Sequence, residues 1–138
     1  MSVLIRCEEL CLTSEEVESL AAVVYKTRNL ENQKITVKCV SEKEIRRLNK
    51  QYRMKDCATN ILTFSYGNKE HDVALCRAIA KREAGERKAE LRDYTAWLLV
   101  HAFLHVCGMD HERSDEEAGE MQAMENNILS EMGFVKSD

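Results

Sequence analysis

The stretch WLLVHAFLHVCGMDH, residues 97–111, constrains this chain more than any other. It is apolar almost all round (Trp97, Leu98, Leu99, Val100, Phe103, Leu104), which predicts a helix buried at the centre of the fold. His101 and His105 lie four residues apart in that run, so on a helix they share one face with Cβ atoms roughly 5–6 Å apart. Two imidazoles so placed can converge on one ion at the ~2.0–2.1 Å that zinc requires. Gly108 stands where a helix takes a left-handed residue just beyond its C-cap, which turns His111 toward the same point. Three neutral imidazoles and an open position make a catalytic zinc arrangement rather than a closed structural one. His101, His105 and His111 are therefore the expected ligands, with zinc the expected ion.

A lone histidine on an apolar helix is ordinarily a satisfied core residue. Here, three of the chain's four histidines fall at fixed offsets around one glycine. Their spacing is similar to the metzincin protease pattern H-E-x-x-H-x-x-G-x-x-H. All three His and the Gly fall in register, but Ala102 occupies the position of the general-base Glu. The carboxylate that activates water for peptide hydrolysis is thus missing, which points to a metal-dependent hydrolase of some other substrate. Cys107 follows His105 by two positions and is rotated about 200° around the helix, away from the ligand face.

With 138 residues, one domain spanning 1–138 is expected, large enough to bury a core without staples. No apolar run reaches the ~18–20 residues needed to cross a bilayer. MSVLIRCEEL has neither a basic n-region nor a long apolar stretch, so a signal peptide is not expected and a cytoplasmic protein is. The six cysteines include no C-x-x-C pair, and in a reducing compartment they read as small buried hydrophobes rather than bridges. The net charge of −4 argues against a protein that coats nucleic acid indiscriminately. Yet Lys43, Arg46, Arg47, Lys50, Arg53 and Lys55 crowd residues 43–55 against the single acid Glu44, while the last thirty residues are acidic. A local phosphate-binding face can lie inside such an acidic total, although a basic helix face is more often plain solvated surface.

Taken in order, residues 3–6 read as a first strand. Thr13 with Glu16 forms a capping box opening a helix over about 14–27, with Val17, Leu20, Ala21 and Val24 inward. A polar loop over 29–33 precedes an alternating strand at 34–40. Ser41 with Glu44 opens a second helix that packs Ile45, Leu48 and Tyr52 inward. Strands are expected at 59–64 and 72–76, and a charged helix over 77–90. The histidine helix starts near Leu91–Asp93. Ser114 with Glu117 caps the last helix, whose inward stripe is Ala118, Met121, Met124 or Glu125, Ile128 and Met132. One α+β domain follows.

With these segments in hand, the chain resembles the YbeY family of endoribonucleases, the ribosomal RNA maturation factors. His101, His105, Gly108, Asp110 and His111 fit that family's H-x-x-x-H-x-x-G-x-D-H pattern. The stretch NKQYRMKDCATNILTF, from Asn49 to Phe64, looks like its N-x-x-Y-R…T-D-V-L-S-F segment, and HDVALC (71–76) looks like its G-D-I-x-I strand. Several positions depart from the pattern, as in a divergent member of bacterial type. Asn60 replaces a usual Asp, Thr63 a Ser, Ser65 a Pro, His71 a Gly, and Ala102 a common Gly.

The resemblance implies a small mixed four-stranded sheet packed with about five helices, the central buried one carrying the metal ligands. It also implies a divalent metal (zinc most often), single-stranded RNA as substrate, and roles in ribosomal RNA maturation and ribosome quality control. Proteins of the ribosomal particle are possible partners on that reading; neither DNA nor membrane is. Arg53, in the Y-R motif, becomes the catalytic candidate, suited by its planar fork of donors to offset charge on a scissile phosphate; otherwise it is a surface ion pair, for instance with Asp56. Asp110 is expected to orient its turn or a ligand His. Two rival readings stay open: a non-catalytic, zinc-containing, ribosome-associated binding factor, and a metallopeptidase that draws its acid from elsewhere.

Overall fold

The computed structural model describes residues 2–28, 33–67 and 69–135. Nine elements follow one another: β1 (Ser2–Arg6), α1 (Ser14–Arg28), β2 (Lys34–Cys39), α2 (Glu42–Arg53), β3 (Ile61–Tyr66), β4 (Glu70–Leu75), α3 (Arg77–Glu86), α4 (Leu91–Val106) and α5 (Asp115–Glu131). The mixed sheet has the order β1-β2-β4-β3. β1, β2 and β4 run parallel, and β3 returns antiparallel to β4 at the edge. This is the expected α+β architecture of four strands and five helices. The loop expected over 29–33 lies, except for Gln33, outside the described residues.

Alternation along the strands sorts side chains onto two faces. Ile35, Val37 and Val73 point to one face and meet Val17, Leu20 and Val24 of α1, Leu99 and Phe103 of α4, and Met121 and Ile128 of α5 in the main core. α4 is buried along most of its length, as its all-round apolar sequence requires. The other face is covered only at one end, where Ile45 of α2 packs with Leu62, Cys76 and Ile79.

Capping agrees with the sequence. Thr13 Oγ1 accepts from the Glu16 amide at 3.1 Å while Glu16 Oε1 accepts from the Thr13 amide at 3.0 Å, a reciprocal box. Ser41 and Ser114 accept from the amides of Glu44 and Glu117.

The structure corrects four expectations. β3 lies two residues later than expected, at 61–66 instead of 59–64, and β4 begins two residues earlier and ends one earlier, at 70–75 instead of 72–76. Thr59 and Asn60 precede the strand and line a cleft, with the Asn60 carbonyl still accepting from the Cys76 amide at 2.8 Å. The charged helix expected over 77–90 ends at Glu86, and Lys88 adopts a left-handed φ of 54° that breaks it. Tyr52 is not inward but 57% exposed; Asn49 fills the interior position instead. Finally, the cysteines are not all buried thiols. Arg6 and Lys38 are register partners, so Cys7 and Cys39 come next in the ladder, with Cα atoms 5.1 Å apart, and form a disulfide. Cys11 and Cys57 are exposed; among the four free cysteines only Cys76 is buried. A search for local C-x-x-C spacing cannot see a pair made by two parallel strands.

The cap at the start of α5 supplies a direct test. Ser114→Ala should lower unfolding free energy by ~0.5–2 kcal/mol in a urea titration. A loss of no more than ~0.2 kcal/mol would mean that water replaces the hydroxyl without cost.

Candidate metal centre and cleft

The site is assembled by the end of α4. Gly108 takes φ +93°, its amide donates to the His105 carbonyl at 2.9 Å, and the Met109 amide donates to the Leu104 carbonyl at 3.1 Å. This pairing is a Schellman stop. Met109 is buried in the main core, so the chain beyond it doubles back and carries His111 to the helix face that bears His101 and His105. Asp110 Oδ1 accepts from the Glu112 amide at 2.8 Å, which holds this turn. That bond, first among several causes, keeps the Asp110 carboxyl below the usual carboxylate range.

Three ring nitrogens converge there. His105 Nε2 lies 3.2 Å from His101 Nε2 and 3.2 Å from His111 Nδ1. A tetrahedral ion with bonds of ~2.0–2.1 Å would set its ligand nitrogens ~3.3–3.4 Å apart, so the cluster fits. It fits poorly as a set of hydrogen bonds, because His105 Nε2 can carry at most one proton and faces two other nitrogens. Burial, reinforced by the two neighbouring imidazoles, pushes the His105 pKa down and favours the neutral ring that a metal takes. Among the described residues no cysteine or carboxylate joins this group. Cys107 stands apart, its thiol pushed up to about 11 by burial.

The sequence reading named Glu125 only as one of two ways to continue an apolar stripe. In the fold it is a buried carboxylate on α5, 4% exposed. His101 Nδ1 donates to its Oε2 at 2.5 Å and Trp97 Nε1 donates to its Oε1 at 3.2 Å. In the neutral tautomer a ring that donates from Nδ1 presents Nε2 as an acceptor, and Nε2 is the atom that faces His105. This is the carboxylate–histidine arrangement that orients metal ligands. The available signal was a single acid at helical spacing between Met121 and Ile128, read there as ambiguity.

The cleft in front of the histidines has a volume of about 530 Å³. One wall is α4 and the following turn. The other is built by the end of α2 and the start of β3, with Arg53, Lys55, Thr59, Asn60 and Thr63. Met54 closes α2 in a left-handed conformation at φ 59°. The buried Asn49 then donates from Nδ2 to the Cys57 carbonyl at 2.9 Å, folding the 54–58 loop back so that Arg53 and Lys55 reach the cleft. Asp56 pairs with Arg46 at 2.8 Å rather than with Arg53. Arg53 has no ion-pair partner among the described residues, while Arg47 is held by Glu44. The basic face is therefore partly neutralised, and Arg53 and Lys55 are the cations of this stretch that line the cleft. Ala102, at the position of the metzincin Glu, lies in the cleft wall.

Two departures from the family pattern explain each other. Ser65 and His71 are register partners, and Ser65 Oγ lies 2.8 Å from His71 Nδ1. His71 Nε2 lies 2.7 Å from Gln33 Oε1. Burial lowers the His71 pKa, consistent with a neutral ring that accepts from Ser65 and donates to Gln33. Asn60 donates from Nδ2 to Glu83 Oε1 at 2.9 Å, a bond that an ionised Asp could not make.

Residues 6–133 match the family model described as Endoribonuclease YbeY. A protein named Endoribonuclease YbeY from Acidovorax sp. (strain JS42) is 46% identical over 104 residues, covering 73% of this chain and 68% of that one. One of the same name from Delftia acidovorans is 45% identical over 104 residues, with the same coverage of 73% and 68%. The solution structure of TM1509 from Thermotoga maritima matches with a TM-score of 0.66 and 26% identity, over 95% of this chain and 89% of that one. The chain belongs to the YbeY family of endoribonucleases.

Proposed function

We propose that this protein is a metal-dependent endoribonuclease that cuts single-stranded RNA, with His101, His105 and His111 as metal ligands, Arg53 as the catalytic cation, and residues 1–138 acting as one hydrolase domain. The observation that carries the reading is the convergence of three imidazole nitrogens, with His105 Nε2 3.2 Å from each of the other two, in a cleft whose opposite wall holds an arginine with no ion-pair partner among the described residues. Zinc suits an all-imidazole donor set with no further protein ligand in the group. When bound, such an ion supplies Lewis acidity to a phosphate oxygen and a lowered pKa to water.

The chain's own residues do the rest. Glu125 holds the His101 ring so that Nε2 faces the cleft. Arg53 donates to the scissile phosphate and offsets the charge gained in the transition state. Lys55 and the outer lysines of α2 draw in the backbone by charge. The open donor set supports catalysis over a purely structural ion in a binding factor, and Ala102 counts against peptide hydrolysis. Family membership supports precursor ribosomal RNA as substrate, a place in ribosomal RNA maturation and quality control beside proteins of the ribosomal particle, and work in the cytoplasm. No helix among the described residues is long and apolar enough to cross a membrane.

Removing one imidazole leaves two, too few for this cradle. His105→Ala should therefore lose the ion and cleavage together. Stoichiometric zinc in the purified variant would strike His105 from the ligand set. Glu125→Gln keeps the size but loses the charge behind His101, and should weaken metal affinity by ~10–100-fold in chelator competition. Unaltered affinity would reduce Glu125 to packing.

Arg53 separates from the other cations by kinetics. Arg53→Ala should slow single-turnover cleavage at saturating enzyme by ~10²–10³ while weakening RNA binding far less. Lys43→Ala or Lys50→Ala should do the reverse, weakening binding and flattening its salt dependence. An unchanged single-turnover rate for Arg53→Ala would leave it a docking charge.

A further inference from the structure

The second face of the sheet is left open over most of its area. Register aligns Leu4, Thr36, Asp72 and Phe64 in one row across the four strands, and Ser2, Lys34, Glu70 and Tyr66 in the next. α2 covers Leu62 and, in part, Phe64, and it stops there. Tyr66 remains 56% exposed and Leu4, at the far edge, 51%. Tyr52 closes the strip from the helix side, its ring centroid 4.9 Å from that of Phe64. Single exposed aromatics are ordinary. Two exposed rings, Tyr52 and Tyr66, bridged by the half-buried Phe64 on the strand that walls the cleft, are not.

The strip is held in place. Tyr66 Oη donates to Asp72 Oδ2 at 3.0 Å, and Lys38 Nζ reaches the same carboxylate at 3.3 Å. The phenol end of Tyr66 is therefore anchored while the ring stays open to solvent. The two bonds also satisfy Asp72, and Glu70 has Lys34 as its cross-strand neighbour, so neither acid on this face opposes an anion alone. β3 carries both features. Phe64 and Tyr66 point to the open face, whereas Ile61 and Thr63 point into the cleft, and no strand lies beyond β3 among the described residues. A chain passing over this edge moves from aromatics to histidines within one strand, beneath Arg53 and Lys55.

We propose that Tyr52, Phe64 and Tyr66 form a base-stacking platform for the single-stranded RNA that the cleft cuts. Unpaired bases lie on the exposed rings while Arg53 and Lys55 lead the backbone across β3 to the histidines. Aromatic side chains on an open four-stranded sheet face are a general solution for unpaired bases, and surrounding cations suit a polyanion better than a protein surface. The inference rests on the nuclease reading and goes beyond it by naming where the bases sit.

The test is single-turnover cleavage over a range of enzyme concentrations, with one RNA and a series of copies in which an abasic spacer is walked along the strand. The double variant Tyr52→Ala/Tyr66→Ala should need about 5- to 150-fold more enzyme for half-saturation on intact RNA, with the same maximal rate. Wild type should show a penalty when the spacer occupies a stacked position, smaller than that of the double variant because one base is lost and not two, and the variant should show none there. Tyr52→Phe/Tyr66→Phe should recover most of the alanine variant's loss, because the rings that stack are kept and only the bond from Tyr66 to Asp72 is given up. Equal half-saturation for wild type and the alanine variant overturns the platform. So does a penalty that is the same at every spacer position, which would mark general damage or a face reserved for a protein partner. In both cases wild-type cleavage survives, and with it the nuclease reading. Failure of the wild-type enzyme to cut any RNA would instead overturn both.

Discussion

The bond from His101 to Glu125 joins the packing of this fold to its chemistry. A carboxylate buried on α5 is costly unless paired, and here the pairing comes from Trp97 and His101, both on α4. The same bond fixes the ring so that His101 Nε2 is turned toward His105 and His111. The apolar stripes that bring α5 against α4, Met121 and Ile128 on one side and Leu99 and Phe103 on the other, thereby set the orientation of an imidazole. Disturbing that helix contact should loosen the histidine cluster before it unfolds the chain.

The other wall of the cleft is positioned by a different device. Asn49 is a buried polar residue whose amide nitrogen holds the loop after α2, and Met54 spends a left-handed conformation to start that loop. Together they fix where Arg53 leaves the helix. Half of the site hangs from helix packing and half from one side-chain amide, with the edge strand β3 between them. The sheet supports both: β3 lies at the edge beside β4, and Thr59 and Asn60 just before it line the cleft.

Much of this was readable from the residues. The all-round apolar run of α4, the i and i+4 histidines and Gly108 each have a local physical meaning, so the helix, its end and the returning His111 follow from spacing alone. The same holds for the capping boxes at Thr13, Ser41 and Ser114. What escaped depends on contacts between distant segments. The Cys7–Cys39 disulfide arises from the register of two parallel strands, the Arg46–Asp56 pair from the fold of one loop, and the place of Glu125 from a helix that meets α4 only in three dimensions. Tyr52 was misjudged because helical periodicity shows which residues share a face, but not where the covered part of a sheet ends.

The central claim is that the three histidines hold an ion that the cleavage of RNA requires. The most direct measurement is elemental analysis of the purified wild-type protein, paired with cleavage of a single-stranded RNA before and after chelation. The account predicts close to one divalent ion per chain, loss of ion and cleavage together on chelation, and recovery of both when zinc is returned. Undiminished cleavage by protein stripped of its metal would contradict it.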